Sequence, residues 1–579
     1  MNHQYLPNIQ SAIHEHVLRI YPRLDCLDIS SRLMSVMGVE PDQQSIGQPY
    51  NKWTEKDCWV ITYGDSIVQK GIAPLKTLHH FASEQLKGTI NGIHILPFFP
   101  YSSDDGFSVI NYSQVNENLG NWTDIKTIAS DFNLMADLVI NHCSSRSMWF
   151  ENYKLGKNPG KDFFVEASDE DDLSNVVRPR TSELLREVRT VNGDRKVWCT
   201  FSHDQVDLNF HNPNVLIEMV SIIRDYLDQG VRIFRLDAVA FLWKEVGTDC
   251  LHLPQTHEII RLIRVLIEAY NPEAIIITET NVPNHENLSY FNTADEAHAV
   301  YNFSLPPLLL HALVSGTSEH LKHWQMSMPP AQTGTFYFNF IASHDGIGLR
   351  PVSGLLQVNE IDKLVETMES FGGRISWRTA ENQSRKPYEI NIALFDALQG
   401  THDGTDEYQI QRFICAHAIM ISLEGVPGIY IHSLLGTKND YERREITGQN
   451  RSINRHRWDY PVLQQALSDD NLHHSKVFNQ LSQLIKLRTQ QTAFHPNAVQ
   501  FTLNLGNDVF AFWRQSHARD QSIFCIHNVT NKTVNIPLSS VNLISLETWT
   551  DIISGQEYND LHDDLKLAPY EFVWLTNRV

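Results

Sequence analysis

Six short apolar runs, each set off from the next by a longer stretch of helical character, constrain this chain more than any other feature. They are INGIHILPFF (90–99), NLMADLVINH (133–142), GVRIFRLDAV (230–239), EAIIITETNV (273–282), YFNFIASHDG (337–346) and EGVPGIYIHS (424–433). Runs that are apolar throughout, rather than alternating, suit strands buried on both faces, the condition of a parallel sheet covered by its crossover helices. The stretch 212–230 reads as such a helix. Asn212 can cap it, Pro213 is tolerated in its first turn, Gly230 stops it, and Val215, Met219, Ile222, Ile223 and Tyr226 contribute to a broad apolar face. LPQTHEIIRLIRVLIEAYNPEA (253–274) has the same design. In most runs the polar residues gather at the C-terminal end, where a (β/α)₈ barrel builds its site. The pattern therefore predicts an α/β fold of the TIM-barrel type rather than a doubly wound sheet.

A chain of 579 residues exceeds one simple core, and the pattern breaks twice. Residues 143–205 hold ASDEDDLSN and VVRPRTSELLREVR with little periodicity, which predicts an inserted domain after the third strand. Beyond 497 the chain changes to short alternating runs such as AVQFTLNLGNDVFAFWRQ, which predicts a C-terminal antiparallel β domain at 498–579. The barrel then occupies 55–142 and 206–497, with loop insertions in the second part. Residues 1–54 are assigned a helical extension with a packing role.

A formal charge of -21 disfavours nucleic acid and anionic membranes as partners. No stretch of about 18 uncharged apolar residues points to a membrane span, and the first residues lack a basic segment followed by an apolar core, so a cytoplasmic protein is expected. The seven cysteines are scattered and form no C-x-x-C, and HEII at His257 lacks the second histidine of a zinc-binding helix. Neither a metal nor another cofactor is called for.

Arg235 and Asp237 stand two positions apart in FRLDAV, so on a strand they face the same way. Glu279 and Asp345 close two other runs, in IIITETN and IASHDG. Three carboxylates at strand ends are hard to explain by packing, because charges are rarely buried without partners. Retaining glycoside chemistry needs one carboxylate kept ionised and one acid kept protonated. Arg235 would favour the ionised form of Asp237, and Glu279, ending an apolar run, would have its pKa raised.

MADLVINH, FRLDAV, IIITETNV and ASHDG, in that order, resemble the four short sequence regions of the α-amylase superfamily. LPFFPYSSDDGFSVINYSQVN, VVRPR, FSHDQVDLNF, ASHDGIGLRP and SINRH are more closely similar to its sucrose phosphorylase group, from about residue 55 to the end. Within that group the longer chain, WKEVGTDCLHLPQTHEII and PYEINIALFDAL look most like the glucosylglycerate phosphorylases. The resemblance implies Asp237 as nucleophile, Glu279 as acid/base and Asp345 as stabiliser of the transition state. It implies glucose contacts from Asp104, Phe107, His142, Arg235, His344 and Arg455, and acceptor contacts from Phe201 and Gln205. Inorganic phosphate would be the co-substrate, handled by Arg178, Arg180 and Arg455, since phosphate prefers multi-donor arginine partners. The product would be α-glucose 1-phosphate. Dimers are common among such phosphorylases, and a homodimer is an open expectation.

The acceptor expected from the resemblance is glycerate, with sucrose and glucosylglycerol phosphorolysis, or plain α-glucosidase action, as alternatives. A carboxylate on the acceptor calls for a cation. The loop GGRISWRTAENQSRKPYEIN offers Arg374, Arg378, Arg385 and Lys386, of which Arg385 is favoured because it lies two residues before PYEIN.

Overall fold

The computed structural model describes residues 8–578 apart from 44–48, 180–181, 292–293, 380–384, 542 and 545–546. Eight parallel strands close into a barrel in chain order: β1 (Trp59–Thr62), β2 (Gly92–Ile95), β3 (Asn133–Val139), β4 (Val231–Asp237), β5 (Ile275–Thr278), β6 (Ala299–Tyr301), β7 (Phe336–Asn339) and β8 (Val426–Tyr430), which pairs back onto β1. The six apolar runs supply β2, β3, β4, β5, β7 and β8. The other two are four and three residues long.

Pairing register decides what meets at the rim. Asp137 on β3 lies opposite Arg235 on β4, and Leu236 on β4 lies opposite Thr278 on β5. Asp237 and Glu279, the next residue of each chain segment, therefore leave the sheet at the same height.

Helix α3 (Pro213–Asp228) takes Asn212 as its cap, whose side chain accepts from the Asn214 N–H. Together with α4 (Pro254–Tyr270) it carries the N-terminal pair α1 (Ile9–Ile20) and α2 (Cys26–Met37). Helix α1 buries Ile9, Ile13, Val17 and Ile20 at helical spacing, and His16 Nδ1 meets Glu258 of α4 at 2.7 Å. After β3, strand His142–Ser144 pairs antiparallel with Gln205–Asp207, closing the stem of the inserted segment at the barrel rim. After β7, hairpin Arg374–Thr379 and Arg385–Asn391 joins Ile347–Gly348 in a three-stranded sheet. The C-terminal sheet has six strands and its own core of Val509, Ile526, Trp549 and Leu575. No helix among the described residues is long and apolar enough to cross a membrane.

Candidate active site

At the floor of the barrel mouth one guanidinium organises the carboxylates. Arg235 Nη1 donates to Asp137 Oδ1 at 2.5 Å and to Asp237 Oδ1 at 2.8 Å, while its Nη2 lies 3.7 Å from Glu279 Oε1. Asp137 is held from its other side by His94 Nε2 at 2.7 Å. Glu279 Oε2 accepts the Ala238 N–H at 3.0 Å. Ala238 adopts a left-handed conformation, φ 51°, which costs a residue with a side chain about 1–2 kcal/mol. That turn directs the backbone donor behind Asp237 onto its neighbour.

The third carboxylate, Asp345, sits on the loop beyond β7. Arg451 Nη1 meets it at 2.6 Å and His344 Nε2 at 3.4 Å. Arg451 is itself gripped at both ends by Glu389, at 3.1 and 2.9 Å, and Glu389 also accepts the Gly346 N–H at 3.0 Å. A Cβ on Gly346 would stand 2.5 Å from Glu389 Cγ, so the glycine of HDG is what lets this carboxylate approach.

Phe107 stacks on His344 with ring centres 5.0 Å apart. His142 Nε2 donates to the Phe107 carbonyl at 2.9 Å. Gln205 Nε2 reaches the same carbonyl at 3.2 Å and Asp104 Oδ2 at 3.4 Å. Phe201 packs against His142 and Phe241 at the stem of the insertion. All nine of Asp104, Phe107, His142, Phe201, Gln205, Asp237, Glu279, His344 and Asp345 line a single cavity of about 700 Å³, open mouth included.

The cavity residues from Asp104 to Arg350, the three carboxylates among them, lie within a segment that matches a known catalytic domain. Residues 86–350 match the family model of the alpha amylase catalytic domain, and 500–574 match the maltogenic amylase C-terminal domain. A glucosylglycerate phosphorylase of Spirochaeta thermophila is 43% identical over 528 residues, covering 90% of each chain. One of Allomeiothermus silvanus is 39% identical over 571 residues, covering 98% of this chain and 99% of its own. The chain belongs to the glycoside phosphorylases of the α-amylase superfamily. The solved sucrose 6F-phosphate phosphorylase of Thermoanaerobacter thermosaccharolyticum shares the fold of this phosphorylase, with a TM-score of 0.72 at 24% identity over 89% of this chain and 98% of that one.

Electrostatics divide the phosphorylase's three carboxyls. Burial pushes Asp237 up to about 7 despite the pull of Arg235, and pushes Glu279 up to about 7 in the same way. Arg235 does favour the ionised form of Asp237, as the sequence suggests, but burial outweighs it, helped by the negative charge of Asp137, to which Arg235 stands closer. The direct hydrogen bond from Arg235 favours ionisation at Asp237 over Glu279, so the pair carries one proton near neutrality, and Glu279 is the group to hold it. For Asp345, burial acts upward, but the charge of Arg451, with Arg235 and Arg455 behind it, outweighs burial and holds the carboxyl well below its usual range. Burial pushes His344 down to about 3, leaving a neutral imidazole.

The arginines of the phosphorylase differ most from the sequence reading. Arg455 is buried behind the wall, donating to Asp105 at 2.6 Å and to the His344 carbonyl at 2.9 Å. It is Arg451, one 3₁₀ turn earlier, that lines the cavity. Pro179 also lines it, and Arg178 beside it has Nε and Nη2 buried without a hydrogen-bond partner among the described residues. Arg180 lies outside the described residues. Arg385, the expected acceptor cation, is exposed and absent from the cavity wall. It stands four residues from Glu389 along the hairpin, roughly 13 Å at strand rise. Besides Arg451, Arg350 is the arginine that lines the cavity among the described residues, and Tyr388 and Asn281 line it too.

Proposed function

We propose that this enzyme catalyses the reversible, retaining phosphorolysis of 2-O-α-D-glucosylglycerate to α-D-glucose 1-phosphate and D-glycerate. The observation that carries the chemistry is Asp237 and Glu279 at adjacent strand ends, served by one guanidinium. Ionised Asp237 attacks the anomeric carbon as the glycosidic bond breaks, and Glu279 gives its proton to the departing acceptor oxygen. A β-glucosyl ester on Asp237 results. Phosphate then attacks the same carbon from the vacated side, the ester bond breaks, and Glu279 takes up the phosphate proton, restoring both groups. Two inversions leave the α configuration.

Asp345, kept ionised by Arg451, suits stabilisation of the cationic sugar through its hydroxyls. Asp104, His142 and His344, held in place by the bonds described above, suit contacts to the remaining hydroxyls. Arg178 and Arg180, on the inserted segment, suit the incoming phosphate. The naming of relatives at 43% and 39% identity over at least 90% of the chain supports glycerate as acceptor over fructose or glycerol. The same reading makes this a cytoplasmic enzyme with no cofactor.

The test is release of glucose 1-phosphate from glucosylglycerate, glucosylglycerol and sucrose in phosphate buffer, beside a phosphate-free control. Release from glucosylglycerate well above the other two is expected. Preference for either of the others would replace the acceptor, and glucose release without phosphate would make this a hydrolase. Among the described residues no group of three or more His, Cys, Asp or Glu side chains is arranged to hold a metal ion. Full activity in EDTA is expected, and a loss restored by calcium would contradict it.

A further inference from the structure

We propose that Arg350 is the residue by which this phosphorylase selects an acidic acceptor, its guanidinium pairing with the acceptor carboxylate. The inference rests on the glycerate reading above and names the residue behind it.

Three observations converge. Arg350 lines the cavity, and its side chain is 16% exposed, yet it donates no hydrogen bond to any described residue. Its nearest acidic partner, Glu286 Oε2, is 3.9 Å from Nη2, beyond hydrogen-bond length. Glu286 is engaged by His252 at 3.1 Å. A largely desolvated guanidinium that donates to no described residue is set to receive an anion, and its planar fork matches a carboxylate.

The position fits the leaving group. Arg350 follows Gly348, whose added Cβ would stand 2.8 Å from both amide atoms of Asn281. Asn281 is the second residue after Glu279, so the Arg350 segment packs on the segment that carries the acid. The oxygen protonated by Glu279 is O2 of glycerate, and the carboxylate is attached to the carbon that bears it. An anion so close to Glu279 falls on the wall that Asn281 and Arg350 form. Asn281 Oδ1, buried and without a partner, is available to accept from an acceptor hydroxyl. The positive charge of Arg378 on the hairpin adds to the field at Arg350 in a chain of net charge -21.

The experiment runs the reaction in the synthetic direction from glucose 1-phosphate and compares D-glycerate with glycerol, which carries a neutral CH₂OH in place of the carboxylate. In R350Q, kcat/KM for glycerate is expected to fall about 30-fold or more, the scale of a lost charge-assisted pair, and that for glycerol by less than about threefold. R350K should recover part of the glycerate loss, and carries the test if R350Q fails to fold, with KM for glycerate raised and glycerol little changed. Exchange of labelled phosphate with glucose 1-phosphate, which needs no acceptor, separates the two anions. Equal falls for glycerate and glycerol, an unchanged glycerate constant, or a fall in phosphate exchange as large as that for glycerate would each overturn the assignment. A wild-type enzyme that ignores glycerate would overturn the proposed function and this inference together; failure confined to the variants would overturn this inference alone.

Discussion

Replacing Asp237 with asparagine is expected to lower phosphorolysis by about 10⁴-fold or more, the scale seen when a covalent nucleophile is removed. The amide keeps the shape of the side chain but cannot form the glucosyl ester. A sharper version uses D237A with azide and an activated donor, α-glucosyl fluoride. Azide then attacks in place of the missing carboxylate and gives β-glucosyl azide, the inverted product. An α-azide, or substantial residual turnover of glucosylglycerate, would remove Asp237 from the role. Stability should move the other way. A carboxyl whose folded pKa is raised to about 7, from about 3.9 unfolded, weighs against the fold progressively as pH rises from 4 to 7, and fully above that. D237N should therefore melt above wild type at pH 8 and gain little at pH 4.

Glu279 carries the second large effect. E279Q should lose about 10²- to 10⁴-fold in kcat/KM for glucosylglycerate, the range of general acid catalysis. With α-glucosyl fluoride, whose leaving group needs no proton, the loss should be far smaller. The pH profile supplies an independent readout. Because kcat/KM for the donor reports only glucosylation, the wild-type profile with glucosylglycerate should be a narrow bell with both limbs near 7, from Asp237 losing and Glu279 keeping its proton. In E279Q with the fluoride the descending limb should vanish and the ascending one remain. A descending limb that survives the substitution would assign the acid to another group.

Buried strands announce themselves as apolar runs, which is why β2, β3, β4, β5, β7 and β8 could be read from the chain. The three residues of β6 could not, since pairing on both sides rather than their own composition makes them a strand, whereas β1, in the apolar run CWVITY, is no shorter than β2, β5 or β7 and was within reach. The strand-end acids were visible for a related reason: a charge closing an apolar run stands out. Asp137 and His94 were missed because their meaning lies in a partner one strand away, a pairing no local spacing encodes. Arg451 and Arg455 share the stretch NRSINR, and only the 3₁₀ turn of Asn450–Asn454 decides which one reaches the cavity. For the acceptor cation, motif proximity favoured Arg385. The hairpin carries it outward, and the antiparallel pairing of Ile347–Gly348 with Glu389 and Ile390 holds the chain leading to Arg350 at the mouth instead.

The two ends of the cavity have different kinds of support. The nucleophile and the acid stand on adjoining barrel strands, where Arg235 is shared among three acids and any shift is felt by all of them. The outer end is assembled from the β5 exit, the hairpin after β7 and the inserted segment, pieces far apart in the chain. Away from Glu389 and Gln205, which reach back to the glucose end, change in the outer wall can therefore accumulate without unsettling the inner chemistry. A lineage with this scaffold can exchange one leaving group for another through a few loop substitutions while glucose transfer continues uninterrupted, so new substrate preferences need not pass through inactive ancestors.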